Sequence, residues 1–378
     1  MMLKILHLAH RHVSVSRLQV QLEDGSSDDH TWVFVGTVTA KDQGHWSVKP
    51  SDDLPEQIRR QHWDAIVVHR MRHPTPRWIL SMPKGPFILW ASWGDDYFRV
   101  FPALSKGIHL PKSRLLLGAL LKFSVPALGA IQYVRSKFLP GSWKVTPRDF
   151  ELEAMGQVDA IANLFGGDFI AKPHLPKVPQ HLYHSWYNAV PKVIPDQEAS
   201  RDPNGPVLLG SKASTTGNHC DFLMDHGPSL RKSGRELRIV LAYGSKRYGR
   251  AIRWIAHAVL NGKVECLMER CPLEEYYAFL AESPVVVHNH IRNQNTGNVV
   301  LSFLMGQRVL LRSDGFAHRF FSDLGFIIGD ASAPDLDLSP LDEAGRQHNR
   351  SLALATFNDE VVMARYDRFI EDVLAHGA

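Results

Sequence analysis

Short apolar runs and amphipathic stretches alternate along the whole chain. In the first half, apolar runs of β type occur at residues 3–9, 31–37, 65–70 and 87–92, and a helical pattern at 54–61 follows Asp53, a suitable cap. The second half is more regular, with apolar runs at 207–210, 237–243, 263–268, 285–289, 308–311 and 326–328 and helical patterns at 218–232, 247–260, 273–281, 298–305 and 316–323. This alternation predicts an α/β fold with parallel sheets covered on both faces.

The chain is long enough for two such domains. At 378 residues it can bury two separate cores. Residues 191–206 are rich in Pro, Asp, Asn and Gly, which is the composition of a linker. We therefore predict a Rossmann-like N-terminal domain at 1–200 and a second Rossmann-like domain at 201–355. An amphipathic pattern near the end predicts a helix, and we expect 356–378 to pack back toward the first domain.

Cysteine content and net charge restrict the cellular compartment and the kinds of binding partner that we expect. The three cysteines have no C-x-x-C spacing, which favours a reducing cytoplasm over a disulfide framework or a structural zinc site. The apolar N-terminal run is interrupted by His7 and His10, so we interpret it as a first strand rather than a signal peptide. No run approaches the roughly 20 apolar residues of a spanning helix. The net charge of +4 gives no reason to expect nucleic-acid binding.

The segment 97–148 combines apolar and basic residues without any acid. It contains nine lysines and arginines around the run LLLGALLKFSVPALGAIQYV, in which Pro126 predicts a break between two helices. Basic side chains beside an apolar helical face suit an anionic membrane surface. The alternative is a buried helical hairpin with basic ends. On the first interpretation, the lipid-binding residues are Lys112, Arg114, Lys122, Arg135 and Lys137.

Two adjacent carboxylates follow the strand predicted at 87–92. Trp93-Gly94-Asp95-Asp96 begins where that strand ends, and ligands bind at the carboxyl ends of parallel strands. Asp96 or Asp95 is thus a candidate general base for an attacking hydroxyl. The alternative is that one of them caps the following helix. His12, after the first strand, is the next candidate base, together with His10.

Polar loops follow three strands of the second half. The first, at 210–219, offers hydroxyl groups, backbone N–H groups and a lysine for a phosphate, although it lacks the spacing of a P-loop. In the others, a tyrosine can stack on a nucleobase, an arginine can bind a diphosphate, and amides can bind sugar hydroxyls. Ordinary turns and helix caps are the alternative. The candidate donor-binding residues are Ser211, Ser214, Thr215, Tyr243, Gly244, His290, Arg292, Asn293, Gln294, Gly297 and Asn298. His288 and His290 lack a third ligand, so we expect no metal site.

Four blocks of this sequence, in order, resemble a family of bacterial glycosyltransferases. The similarity is to the TDP-Fuc4NAc:lipid II transferase family (glycosyltransferase family 56, 4-acetamido-4,6-dideoxygalactosyltransferases, 4-alpha-L-fucosyltransferase-like). The matching blocks are 93–96, 160–169, 210–219 and 294–298, and Asp96 stands at the family's aspartate position. An acidic residue that the family has after its glycine-serine turn is replaced here by the run Lys212 to Thr215.

The resemblance implies a fold and a reaction. It implies a GT-B fold, in which two Rossmann-like domains face each other across a cleft. It also implies a nucleotide-diphosphate sugar donor held by the second domain, a polyprenyl-diphosphate glycan acceptor, and no metal or other cofactor. We therefore expect a hexosyltransferase that moves a deoxy- or amino-hexose during bacterial surface polysaccharide synthesis, peripheral on the cytoplasmic face of the inner membrane. The alternatives are a sugar-nucleotide epimerase or hydrolase and a non-catalytic sugar-nucleotide-binding protein docked at the membrane.

Overall fold

The structure, a computed structural model, describes residues 2–36, 45–93, 96, 107–122, 147–163, 175–184, 197–292 and 294–376. The chain divides into two compact units. Unit 1 comprises Met1–Leu104, Gly141–Asn188 and Asp359–Ala378, and unit 2 comprises Ser105–Pro140 and Ala189–Asn358. Each unit contains one sheet in which all strand pairs are parallel. The α/β class predicted from the alternation of elements is therefore confirmed.

Unit 1 is built on a seven-stranded sheet with strand order β3-β2-β1-β4-β5-β6-β7. Its central strands are apolar on both faces because helices cover both sides of the sheet. Numbered in chain order, its strands are β1 (Lys4–His10), β2 (Asp29–Val35), β3 (Trp46–Val48), β4 (Ala65–His69), β5 (Phe87–Ala91), β6 (Ala160–Asn163) and β7 (His181–His184). Its helices are α1 (Val13–Gly25), α2 (Glu56–Arg60), α3 (Thr75–Leu80), α5 (Pro147–Met155) and α12 (Asp359–His376).

The last helix completes the core of unit 1. Along α12, Val362, Tyr366, Phe369 and Val373 are buried against the side chains of β1, β2 and β5. Burying four such side chains contributes on the order of 1.5–3 kcal/mol each before entropy is counted. The helix that the amphipathic pattern predicts at the end of the chain thus lies in the first unit.

Unit 2 is built on a six-stranded sheet with strand order β10-β9-β8-β11-β12-β13. The order reverses between β8 and β11, so the loops after these two strands diverge and leave a crevice at the carboxyl edge of the sheet. Its strands are β8 (Val207–Leu209), β9 (Leu237–Val240), β10 (Val264–Leu267), β11 (Val285–His288), β12 (Arg308–Leu311) and β13 (Gly329–Asp330). Its helices are α4 (Pro111–Lys122), α6 (His219–Ser233), α7 (Lys246–Val259), α8 (Leu273–Ala281), α9 (Thr296–Leu304), α10 (Phe316–Asp323) and α11 (Glu343–Phe357).

Helix α4 does not belong to the first unit, so the predicted domain 1–200 is wrong for this segment. The carboxylate of Asp221 on α6 accepts hydrogen bonds from the backbone N–H groups of Lys112 (2.8 Å) and Ser113 (2.7 Å), which caps α4 from another helix. Leu116 and Leu120 then pack on the core of unit 2. One face of α4 therefore packs against unit 2, and the other face is exposed.

The remainder of the basic segment is only partly described. Arg135 and Lys137 lie outside the described residues, as does the side chain of Lys122. Lys112 forms an ion pair with Asp225 on α6, and Arg114 donates to the carbonyl oxygen of His109 at 3.0 Å. Within the described ranges, no helix combines the length and the apolar character needed to span a bilayer.

Candidate functional site

The loop after β8 is held against the loop after β9 at the crevice of unit 2. The N–H of Ala213 donates to the carbonyl of Tyr243 at 2.6 Å, and the N–H of Ser245 donates to the carbonyl of Ala213 at 2.9 Å. Gly244 has φ +101, and a Cβ there would lie 2.3 Å from the oxygen of Ala213. Only glycine fits this close approach. The predicted residue Gly244 therefore has a structural reason to be glycine.

An arginine and an amide join the loops after β8 and β11. The side chain of Gln294 accepts from the hydroxyl of Thr216 (2.8 Å) and from Nε of Arg292 (3.1 Å), and it donates to the carbonyl of Thr216 (3.1 Å). Nε of Arg292 also donates to the Thr216 hydroxyl at 3.2 Å. Because the Nε edge of the guanidinium is fixed by protein, the group is oriented before any ligand arrives. The structure thus brings the predicted residues Arg292 and Gln294 together.

Several buried polar atoms beside this pair lack a hydrogen-bond partner. Among the residues that the structure describes, this holds for Oγ of Ser211, for both ring nitrogens of His288 and for Nε2 of His290. All three side chains are buried. Buried polar groups are normally paired, and an unpaired one costs about 1–3 kcal/mol. Such a set at the carboxyl edge of a sheet indicates a site whose hydrogen bonds a ligand completes.

Burial keeps these histidines neutral. It lowers the pKa of His288 to about 4, with a further lowering from the nearby ring of His219. Burial also holds the pKa of His290 well below its usual value, and electrostatic interactions with the neighbouring His288 and Arg292 act in the same direction. A neutral imidazole offers one donor and one acceptor, which suits a hydroxyl group. The arrangement can therefore bind a polar uncharged group such as a sugar.

The loop after β9, at the same carboxyl edge of the sheet, presents an aromatic side chain. Tyr243 is 53% exposed, and the guanidinium carbon of Arg270 lies 4.2 Å from the centre of its ring. The hydroxyl of Tyr276 donates to Oδ1 of Asn298, at the start of α9, at 3.0 Å. Asn295, the residue before α9, makes no side-chain cap, and Gly297 has open space beside its Cα. This end of the crevice combines a planar surface with an uncapped helix N-terminus, a combination that suits a nucleobase and a phosphate.

Two predicted hydroxyl residues are engaged by other side chains. Oγ1 of Thr215 is 3.0 Å from Nε2 of His109, in the segment before α4, and Oγ of Ser214 is 2.8 Å from the hydroxyl of Thr216. Asn293 lies outside the described residues. No group of three or more His, Cys, Asp or Glu side chains that could hold a metal ion occurs in the described ranges.

In unit 1, Asp96 supports the backbone of two strand-end loops. Its Oδ2 accepts hydrogen bonds from the N–H groups of Met71 (3.2 Å) and Trp93 (3.0 Å) and from the indole N–H of Trp90 (3.2 Å). The side chain is fully buried. A carboxylate that holds three donors and has no exposed surface resembles the capping alternative more than a base that meets an incoming hydroxyl. Asp95 lies outside the described residues.

His12 differs from Asp96 in its exposure. It is exposed just before α1, and its ring meets the ring of Trp93 edge-on, with centroids 4.5 Å apart. Nε2 of His10 is 3.1 Å from the carbonyl oxygen of Arg72. Of the candidate bases in the described part of unit 1, His12 is the most exposed.

Sequence reasoning missed His288 and His219 as parts of the site. His288 ends an apolar run, and nothing in the run distinguishes a paired histidine from an unpaired one. The sequence does contain an indirect signal for His219, namely the two nearby glycines. A Cβ at Gly210 would lie 2.5 Å from Nε2 of His219, and one at Gly217 would lie 2.4 Å from its Cε1. The loop therefore needs glycine at both positions to enclose the imidazole.

Comparison with known proteins identifies the fold. No protein-family model and no curated protein sequence matches the chain. Solved structures do: the N-terminal domain of trehalose-6-phosphate phosphatase from Candida albicans has a TM-score of 0.61 at 12% identity, covering 100% of this chain and 98% of that one. Sucrose-phosphate synthase from Thermosynechococcus elongatus has a TM-score of 0.61 at 11% identity, covering 99% of both chains. The chain has the GT-B fold.

The GT-B fold alone does not fix the reaction. A putative UDP-N-acetylglucosamine 2-epimerase from Listeria monocytogenes also matches, with a TM-score of 0.51 at 14% identity, covering 96% of this chain and 94% of that one. A synthase and an epimerase thus share this GT-B architecture with the chain. Function has to be argued from the site.

Proposed function

We propose that this protein is a glycosyltransferase that moves a deoxy- or amino-hexose from a nucleoside-diphosphate sugar to a lipid-linked glycan. The observation that carries the proposal is the set of unpaired buried polar atoms at the carboxyl edge of the unit 2 sheet, beside an arginine already oriented by Thr216 and Gln294. A sugar can complete those hydrogen bonds, and a diphosphate can pair with the arginine. The resemblance to the TDP-Fuc4NAc:lipid II transferase family supports the choice of donor and acceptor.

Each part of the donor has a region of matching chemistry. The exposed ring of Tyr243 suits the nucleobase. Arg292 and the uncapped N-terminus of α9 suit the diphosphate, because both offer positive charge and N–H donors. Ser211, His288 and His290 suit the sugar hydroxyls. Since Arg292 and the helix N-terminus oppose the diphosphate charge, the proposed reaction needs no metal ion.

The transfer itself requires that a proton leave the acceptor. The acceptor oxygen forms a bond to the anomeric carbon, the bond from that carbon to the diphosphate breaks, and the nucleoside diphosphate leaves with both bonding electrons. We assign the departing proton to the imidazole of His12, since a general base must be reachable by the hydroxyl. Asp96 is then a positioning residue, because it fixes the N–H of Trp93, whose ring contacts His12.

A lipid-linked acceptor places the enzyme at a membrane. We propose that it is peripheral on the cytoplasmic face of a bacterial inner membrane and acts in surface polysaccharide synthesis. The nine basic residues and the absence of acids in 97–148 support this location, because the inner leaflet is anionic.

One assay separates the proposal from its alternatives. The protein is incubated with nucleoside-diphosphate sugars, and release of the nucleotide is measured with and without a polyprenyl-diphosphate-linked glycan in detergent. A transferase releases nucleotide only when the acceptor is present, together with an extended glycan. Release or epimerisation without the acceptor would identify a hydrolase or an epimerase instead. Binding without turnover in either mixture would identify a non-catalytic sensor.

A further inference from the structure

Three neighbouring helices of unit 2 expose apolar side chains on their outer surface. Helices α4 and α7 both pack against α6, so the three form one layer over the sheet. Leu115 on α4 is 78% exposed, Met224 on α6 is 49% exposed, and Trp254 on α7 is 73% exposed. Single exposed apolar residues are ordinary, but large ones on three adjacent helices indicate a contact surface.

The same three helices have a larger net positive charge than the whole chain. They contain nine lysines and arginines and two aspartates, which gives a net charge of +7, whereas the whole chain has +4. The rest of the chain is therefore negative by three charges. Both aspartates are already engaged, because Asp221 is buried under the cap of α4 and Asp225 pairs with Lys112.

Helix α7 concentrates this pattern. Its sequence KRYGRAIRWIAHAV has four basic residues and no acidic one. Lys246, Arg250, Arg253 and Trp254 are all exposed, while Tyr248, Ile252 and Ala256 face the core. Within the described part of the chain, Lys246, Arg250 and Arg253 form no ion pair. An exposed tryptophan among unpaired cations is typical of a helix that lies in a lipid interface, with the ring at the headgroup level and the cations on the phosphates.

We infer that the outer surface of α4, α6 and α7 docks unit 2 on an anionic bilayer, with Trp254 inserted and Arg250 and Arg253 on lipid phosphates. The inference rests on the proposed function in one respect, since a lipid-linked acceptor requires a peripheral enzyme. On this inference, α7 makes most of the membrane contact that the sequence predicted for the segment 97–148. Ser245 caps the N-terminus of α7, directly after the Tyr243 loop of the donor site. The bilayer would thus lie close to the edge of the sheet that holds the donor.

Vesicle binding tests this surface. Sedimentation of the full chain is compared between vesicles of neutral phosphatidylcholine and vesicles that also contain anionic phosphatidylglycerol, at low and high salt. We expect binding that needs the anionic lipid and weakens with salt. The double variant Arg250→Gln/Arg253→Gln should bind about 25-fold more weakly, since each surface cation contributes about 1 kcal/mol, or about fivefold. Trp254→Ala should also weaken binding, but with little dependence on salt.

Matched controls keep the test specific. The variant Lys84→Gln/Lys177→Gln removes two exposed cations from unit 1 and should bind vesicles as the wild type does. Thermal unfolding and nucleotide affinity should be unchanged in all variants, because none of these residues belongs to the donor loops. If the wild type ignores anionic vesicles, or the α7 variants bind as tightly as the wild type, the surface is not a membrane contact.

Other partners for this surface give different results. If the wild type binds a nucleic-acid oligonucleotide but no vesicle, or Trp254→Ala merely converts a dimer to a monomer, the inference is wrong. The proposed function can fail separately. Vesicle binding without any nucleotide binding would support the docking surface and contradict the donor site. Nucleotide binding without vesicle binding would contradict only the docking surface.

Discussion

Each unit contains three neighbouring histidines, and the two sets differ in how their ring nitrogens are paired. In unit 1, Nδ1 of His7 is 2.9 Å from Nε2 of His69, and Nε2 of His7 is 2.9 Å from Nδ1 of His30. Nε2 of His30 is in turn 3.4 Å from the hydroxyl of Tyr366 on α12. The set therefore forms a continuous chain of hydrogen bonds between the sheet and the last helix.

The three neighbouring histidines of unit 2 are His219, His288 and His290, and several of their ring nitrogens have no hydrogen-bond partner among the described residues. Nδ1 of His219 is 3.2 Å from the hydroxyl of Tyr248. In the described part of the chain, however, both ring nitrogens of His288 and Nε2 of His290 lack a hydrogen-bond partner. Protonation does not distinguish the two sets, since burial lowers the pKa of His69 to about 3 and that of His288 to about 4. Hydrogen bonding does distinguish them. A fully hydrogen-bonded set stabilises the fold. Unpaired buried nitrogens lower the stability, and a ligand that forms hydrogen bonds with them restores it.

On the proposed mechanism, unit 1 acts through the exposed His12 and not through its hydrogen-bonded set of histidines. His12→Ala should lower the transfer rate 10²- to 10⁴-fold, as expected for a general base, and leave donor affinity unchanged. Steady-state kinetics and calorimetry measure the two quantities. His62→Ala is the matched control, because that side chain is 83% exposed and precedes β4 at the amino edge of the sheet, whereas Trp93 follows β5 at the carboxyl edge. It should keep the wild-type rate.

The variant Asp96→Asn tests whether the general base is His12 or Asp96. All three donors meet Oδ2, so an asparagine oxygen can take its place, but a neutral amide accepts weaker hydrogen bonds than a carboxylate, and the variant should lose about 1–3 kcal/mol of stability. If Asp96→Asn instead unfolds like the wild type but loses the rate as fully as His12→Ala, Asp96 is the base and the assignment to His12 is wrong.

A smaller effect separates the two histidine sets themselves. His69→Phe leaves Nδ1 of His7 without its partner, so it should lower the free energy of unfolding by about 1–3 kcal/mol. His288→Phe removes no hydrogen bond within the described protein and should change that free energy by less than about 1 kcal/mol, or increase it. Denaturant unfolding measures both variants. Equal losses in the two variants would mean that His288 is paired in solution, and the histidines of unit 2 would no longer indicate a ligand site.

The sequence was sufficient to predict the α/β class, most of the strands and one edge of the site. Its apolar pattern did not predict β3, β6 or β7, and the strand predicted at 326–328 is a loop before β13. Parallel strands bring their carboxyl ends together, so Arg292 and the loop after β8 could be placed side by side from the pattern alone. Three features depend on contacts between distant residues and could not be predicted. The cap that Asp221 provides to α4 spans more than a hundred positions. The three donors of Asp96 come from β5 and from the loops after β4 and β5, and the unpaired state of His288 depends on everything around it.

The most direct test of the account is a calorimetric titration of the full chain with a panel of nucleoside diphosphates. We predict that one base binds, and that Arg292→Ala binds it about 10- to 150-fold more weakly, because a charge-assisted interaction of roughly 1.5–3 kcal/mol is lost. Arg319→Ala, an exposed arginine on α10 that pairs with Asp323, should bind as the wild type does. Unchanged affinity in a folded Arg292→Ala variant, or no binding of any nucleoside diphosphate, would contradict a donor site at this edge of unit 2.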